Sequence, residues 1–354
     1  MEPTHHPSHA TTRSALAVCA ALLLFSTLNP QLSIFAQGSL TPPGAPAPTM
    51  KTLAQIEPRT PISSLPYSIT NAGSYYITAN LTGVTGQNGV IISNGNVTLD
   101  LNGFALIGVS SSLDGIFVSG SLTNIAIYHG TIYNWGNFGV EGGSANYSQF
   151  SELKCNFNAY SGITAGYGCA VENCVSIGNG SAGLMSGITI LANSTIRNCT
   201  ASGNTGTGLY VFNGKGTIIS CISSLNLGSG IDVGGGYCVV SGCTIQDNAA
   251  DGIFTGGNCR LVDNLLSGNN TTSSGAAINV YGTGNRIEGN LLSGNHSAGL
   301  KDTSSPGGNF ILKNTVKSGI LATNFVIAAS SIVGPLIATT GTITNSNPWA
   351  NFSF

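Results

Sequence analysis

Charge is what this chain has least of. Its 354 residues carry 11 Lys and Arg and 13 Asp and Glu, 7% of the sequence, against about 25% in an average soluble protein. The net charge of −2 leaves no basic surplus, so nucleic acid and anionic membranes are not expected partners. Apolar runs are short: only 15–28 is continuous enough to notice, and it falls below the roughly 20 residues a membrane-spanning helix needs. Beyond residue 36 there are two histidines (His129, His296) and four arginines (Arg59, Arg197, Arg260, Arg286). That is a thin supply of metal ligands and of cations for an acidic substrate. What the chain has instead is 49 Gly and 35 Asn. Glycine costs a helix up to about 1 kcal/mol per residue, which argues against a helical fold. The 42% hydrophobic content is too high for disorder. An uncharged, β-rich protein with a real core remains.

Residues 1–36 have the layout of a secretory signal peptide: Arg13, the apolar stretch Ala15 to Leu28, and a cleavage point at Phe35-Ala36 before Gln37. The mature protein is therefore expected to be secreted, periplasmic or held at the cell surface. Residues 37–66 contain seven prolines between Pro42 and Pro66, which predicts an extended segment. Ile56, Ile62 and Leu65 give that segment apolar anchors for lying along one end of the fold.

An internal period organises the rest. Gly followed by an aliphatic residue recurs at Gly89-Val90, Gly115-Ile116, Gly139-Val140, Gly162-Ile163, Gly183-Leu184, Gly208-Leu209, Gly230-Ile231 and Gly252-Ile253. Gly275 (with Ile278), Gly299-Leu300 and Gly319-Ile320 continue it, at a mean spacing near 23. A second set of marks is tighter. Cys174, Cys199, Cys221, Cys243, Asn264 and Asn290 share one slot, each followed five residues later by Asn179, Asn204, Asn226, Asn248, Asn269 and Asn295. Five residues earlier come Cys169, Ser194, Gly216, Cys238, Cys259 and Asn285. An eleven-residue block of fixed length thus alternates with segments of variable length. Coils stacked at about 4.8 Å satisfy this pattern, because like slots then lie above one another and Asn amides can bond from coil to coil. The expected fold is all-β: a single-stranded right-handed parallel β-helix of about 11 coils over residues 67–325, closed by 326–354, where Trp349 and Phe352 are candidates to plug the end.

Blocks such as Gly284-Asn285-Arg286-Ile287-Glu288-Gly289-Asn290-Leu291-Leu292-Ser293-Gly294-Asn295 resemble repeats of the pectate-lyase-like parallel β-helix superfamily, specifically its carbohydrate-binding and sugar-hydrolase repeats. Gly-Ser-Tyr-Tyr-Ile-Thr at 73–78 and Asn-Pro-Trp-Ala-Asn-Phe at 347–352 resemble the ends of exported bacterial members without an assigned reaction. The resemblance implies a polysaccharide partner. It does not supply a reaction, because this fold hosts many, and the Asn-Thr-Asp, Gly-His-Gly and Asp-Pro-His-Asp signatures of its better-known enzymes are absent.

Stacked cysteines in one slot point the same way, which predicts buried free thiols in place of disulfides or a converging metal site; a Cys238–Cys259 or Cys169–Cys174 bridge is the alternative. No metal and no cofactor are expected. His129 falls in the slot of Asn173 and Asn198, a bend position. Arg260 and Arg286 share a slot, as do Glu172 and Arg197. The outward row after each Gly-aliphatic pair reads Phe117, Glu141, Thr164, Tyr210, Asp232, Phe254, Asn279 and Lys301. Aromatic rings at coil spacing suit sugar stacking, and Asp or Asn suit hydroxyl donors. Phe117, Tyr210, Asp232, Phe254, Asn279 and Lys301 are therefore the candidate substrate-binding residues, with the variable segments after this strand expected to wall a groove. Asp232 and Asp251 are the candidate catalytic pair, since glycoside hydrolysis usually needs two carboxylates. The expected function is binding or processing of a polysaccharide along this row; the alternative is a non-catalytic adhesion or structural rod.

Overall fold

The computed structural model describes residues 56–183, 185–271, 275–319, 323–338 and 341–354. The expected signal peptide and residues 37–55 lie outside them. From Thr60 the chain winds as a parallel β-solenoid. Each strand pairs in parallel with its counterpart one turn later, as in Leu209↔Ile231↔Ile253↔Ile278. A turn holds three short strands, for example Thr195–Arg197, Thr200–Ser202 and Leu209–Val211. The first two lines of strands merge into a 24-stranded sheet; the third forms a separate 12-stranded sheet, here termed the open face. Among the described residues no helix is long and apolar enough to cross a membrane.

Strands this short are set by what interrupts them. Each turn bends at single residues of positive φ, and one bend row runs Asn102 (52°), His129 (68°), Asn173 (55°), Asn198 (51°), Ser220 (54°) and Asp263 (55°). Asn and Asp tolerate this left-handed conformation better than most side chains, which explains part of the asparagine excess. Between bends, alternation does the rest: the middle residue of an open-face strand faces out and its two neighbours face in. Ile188, Ile190, Leu209, Val211, Ile231 and Val233 are all fully buried, each apolar side chain contributing about 1.5–3 kcal/mol relative to exposure.

The slots following the bends hold hydrogen-bonded ladders. Asn204 N–H and its side-chain amide both donate to Asn226 Oδ1 at 3.0 and 2.9 Å, and Asn226 repeats this toward Asn248 at 3.1 and 2.9 Å. The middle slot changes from sulfur to amide along the rod. Cys174 N–H donates to Cys199 Sγ at 3.4 Å, Cys199 N–H to Cys221 Sγ at 3.5 Å, and Cys243 N–H to Asn264 Oδ1 at 3.0 Å. All eight described cysteines are free and buried. The neighbouring Cys174 thiol and burial together push Cys199 up to about 12, so the Cys199 sulfur is a packing atom.

The block extends further than its sequence marks. Trp135 occupies the slot one coil before Asn158, donates its backbone N–H to Asn158 Oδ1 at 3.1 Å and its indole N–H to Leu106 O at 3.1 Å, and is 1% exposed. Its ring fills the amino-terminal core, where a Cβ at Gly83 or Gly89 would come within 2.5 or 2.7 Å of it. At the other end Asn314 N–H donates to Asn351 Oδ1 at 2.9 Å, so residue 351 is a late rung of a ladder.

Three expectations need correction. The Gly183-Leu184 mark is displaced: Leu184 lies outside the described residues, and the strand in the stack is Ile188–Ile190, with Ile188 beside Ile163 and Leu209. Leu184 is followed two positions later by Ser186, whereas Ile188 and Ile190 both supply inward aliphatics. Likewise Ile320 lies outside the described residues, and Phe325 is the partner of Leu300. Trp349 does not plug the end; it is 46% exposed, with Lys313 Nζ 4.7 Å from its ring centre, while Phe352 pairs with Thr315 at the edge strand. In the proline-rich segment Ile62 is fully buried and Leu65 packs on the core, while Ile56 is exposed.

Candidate functional site

The outward row of the open face is assembled as the spacing implied. Strand register places Phe117 beside Glu141, Glu141 beside Thr164, Tyr210 beside Asp232, Asp232 beside Phe254, Phe254 beside Asn279, and Asn279 beside Lys301. Thr189, missed because its coil was mis-marked, completes the row between Thr164 and Tyr210. All are half-buried, reachable yet held by neighbours. Two further rings enlarge the aromatic surface: Phe212 stands edge-on to Tyr210 with centroids 6.0 Å apart, and Tyr281 lies 6.4 Å from Phe254.

A cavity of about 280 Å³ opens beside this row, lined by Ser186, Gly206, Thr207, Tyr210, Leu227, Gly228 and Asp232. Its wall comes from the segments that precede the open-face strand. The expectation that the following segments form it is therefore corrected. The physical reason lies in coil lengths. Five residues take the chain from Asn204 to Leu209, from Asn226 to Ile231 and from Asn248 to Ile253, but nine take it from Asn179 to Ile188 and from Asn269 to Ile278. Three short coils thus lie between two longer ones, and Tyr210, Asp232 and Phe254 are their outward residues.

Asp232 and Asp251 occupy different environments. Asp232 lines the cavity and accepts the Gly234 N–H at 2.8 Å. Burial holds its carboxyl above the usual range, with the nearby Asp251 charge adding to the rise. Asp251 is 9% exposed, and both its oxygens are engaged: Oδ1 by the Ala276 N–H at 2.6 Å, Oδ2 by the Asn279 amide at 3.0 Å. Burial raises it too, against those two donors and Lys301. Asp251 therefore fixes the Asn279 side chain and the chain entering the next coil, and Asp232 is the carboxylate facing open space.

Another carboxylate of this face, buried Asp114, was not singled out from the sequence. Asp114 sits before Gly115 as Asp251 does before Gly252, and accepts the Phe138 N–H at 3.1 Å. Burial, with a smaller push from Glu141, lifts it to about 6. The matching position before the Gly-aliphatic pair was the available signal.

The remaining candidates lie elsewhere. His129 is exposed at its bend, with Nδ1 3.6 Å from Asp100 Oδ1, while Arg59 Nη1 holds Asp100 Oδ2 at 2.7 Å. His296 is exposed. Arg260 and Arg286 are adjacent on the 24-stranded sheet, where Arg286 and Lys313 share Glu288 at 2.7 and 2.8 Å. Glu172 and Arg197 form an exposed pair at 3.7 Å, worth little in stability.

The parallel coils, the ladders and the outward row define a right-handed β-helix, and comparison with known proteins agrees. The chain belongs to the family described as right handed beta helix region, whose model matches residues 68–221 and 165–292. No curated protein matches it in sequence. Among solved structures it is similar to the A-modules of two mannuronan C-5 epimerases of Azotobacter vinelandii. AlgE6 aligns with TM-score 0.65, 16% identity and coverage of 80% of this chain and 90% of that one. AlgE4 aligns with TM-score 0.63, 14% identity and coverage of 77% and 90%. The catalytic domain of a GH87 alpha-1,3-glucanase in complex with tetrasaccharides aligns with TM-score 0.57 and 13% identity, covering 82% of this chain and 64% of that one. At these identities the likeness establishes the fold.

Proposed function

We propose that the protein binds a polysaccharide along its open face. Tyr210 and Phe254 serve as stacking platforms, Asp232 between them accepts hydroxyl donors, and Phe117, Asn279 and Lys301 extend the contact along the row. The observation that carries the reading is the cavity beside Tyr210 and Asp232, set among short coils whose outward residues are two rings and a carboxylate. A hexose ring and a coil repeat of about 4.8 Å are of similar length, so consecutive sugars meet consecutive coils. That similar folds act on mannuronan and alpha-1,3-glucan supports a glycan partner. The apolar run before residue 28 supports an exported protein that meets its glycan outside the cytoplasm.

If the face also performs chemistry, Asp232 is the group to act, with Asp251 raising its proton affinity from behind. Incubation of the full chain with a broad polysaccharide panel, read by affinity electrophoresis and by mass spectrometry of products, tests both levels. Retardation on at least one glycan is expected, and products that disappear with Asp232→Asn would assign Asp232 to catalysis. No retardation and no product on any glycan would leave the adhesion or structural rod in its place.

A further inference from the structure

The groove also carries a charge pattern that sorts glycans, an inference that rests on the glycan-binding reading. Of the seven described residues lining the cavity, one is anionic and none cationic. The floor positions Tyr210, Asp232, Phe254 and Asn279 follow one another coil by coil without a Lys or Arg. Buried carboxylates at Asp114, Asp251 and Asp302 back the same face, and Glu141 stands on it beside Phe117. The one cation among the described residues of the outward row, Lys301, comes two coils after Phe254 and interacts with Asp251. Lys215, in the same coil as Tyr210, sits at the bend beyond the strand, on the edge opposite the cavity wall. Arg260 and Arg286 face out from the other sheet.

A chain of uronic acids laid on this floor brings a carboxylate to every coil and meets Asp232 without a countercharge. A neutral chain offers hydroxyl donors that Asp232 accepts and C–H faces that the rings cover. We propose that the groove selects uncharged glycans and rejects polyuronates, with Asp232 as the specificity-determining residue. Like charges one coil apart weaken polyuronate binding by about tenfold or more, and salt reduces that discrimination.

The test uses the full chain in low-salt buffer at neutral pH, with soluble beta-glucan and galactomannan as neutral probes and mannuronan and polygalacturonate as acidic ones. Affinity electrophoresis and calorimetry are run on wild type, Asp232→Asn and Tyr210→Ala. Neutral probes are expected to bind at least tenfold tighter than either polyuronate. Asp232→Asn is expected to narrow the gap to about threefold by improving polyuronate binding, with no fall in melting temperature. Polyuronates binding as tightly as neutral glycans, and weakened by Tyr210→Ala, would overturn the selection while leaving the groove in place. An unchanged gap in Asp232→Asn would remove Asp232 from the role. Failure of both classes to bind, or indifference of all binding to Tyr210→Ala, would overturn the groove reading itself.

Discussion

The two sides of each coil obey different rules. On the ladder side, eleven residues recur without insertion, because an extra residue would move Asn226 out of reach of both Asn204 and Asn248, and with it the bonds at 2.9 to 3.1 Å that join three coils. On the open face, the step into the strand lengthens from five residues to nine at two coils, and the strands still pair in register. Buried amides tolerate no slack, whereas a solvent-side segment takes extra residues at little cost. The fixed side is scaffold, and the adjustable side is where a binding site can be shaped without unfolding the rod.

Substitutions on the two sides should separate stability from binding. The largest effect is expected from Asn226→Ala, which strips the acceptor from two Asn204 donors and the donor from Asn248, Ala201 and Ser223. A loss of about 3–5 kcal/mol in urea unfolding is expected; a loss under about 1 kcal/mol would mean the ladder is ornamental. Gly208→Ala comes next, because its Cβ would lie 2.0 Å from Ser223 Oγ and 2.7 Å from Gly230 O. Crowding backbone as well as side chain should cost about 2–3 kcal/mol, and an unchanged melting temperature would contradict the packing described.

The open face should respond the other way. Asp114 is lifted to about 6 by burial, so the folded state holds its proton more tightly than the unfolded chain does. Its ionisation therefore destabilises the fold as pH rises from about 4 to 6, and the cost persists above that. Asp114→Asn keeps the acceptor for Phe138 and removes the charge. It should raise stability at pH 7 by about 1–2 kcal/mol and flatten the pH profile between 4 and 6; equal profiles would show that the carboxyl is not desolvated. Tyr210→Ala and Phe254→Ala are expected to change stability little, by about 1 kcal/mol or less because both side chains are half-exposed, yet to weaken glycan binding about tenfold. Glu288→Gln, which breaks a surface cluster with Arg286 and Lys313, should stay within about 0.5 kcal/mol.

Most of the scaffold was legible because its constraints are local and repeated. A residue that must carry an amide or a thiol at a fixed offset leaves a column of Asn and Cys, and the outward row follows from strand alternation alone. Legibility failed where a coil departs from the common length. Gly183-Leu184 falls five residues after Asn179, just as Leu209 falls five after Asn204, but the nine-residue step moves the strand to Ile188. The cavity wall was assigned to the wrong edge for the same reason: sequence spacing shows that length varies without showing on which side of the strand the surplus lies against the floor. The contrast between Asp232 and Asp251 was hidden as well, because nothing in the sequence shows that Asn279, one coil on, turns its amide to Asp251.

The proposed site puts the glycan on the open face at Tyr210, Asp232 and Phe254, away from the ladder side. Hydrogen exchange with and without a bound oligosaccharide tests it most directly. Added protection is predicted at residues 205–212, 227–234 and 253–256, with exchange at 194–204 and 216–224 unchanged. Protection centred on the ladder strands, or none on the open face at saturating ligand, would contradict the account.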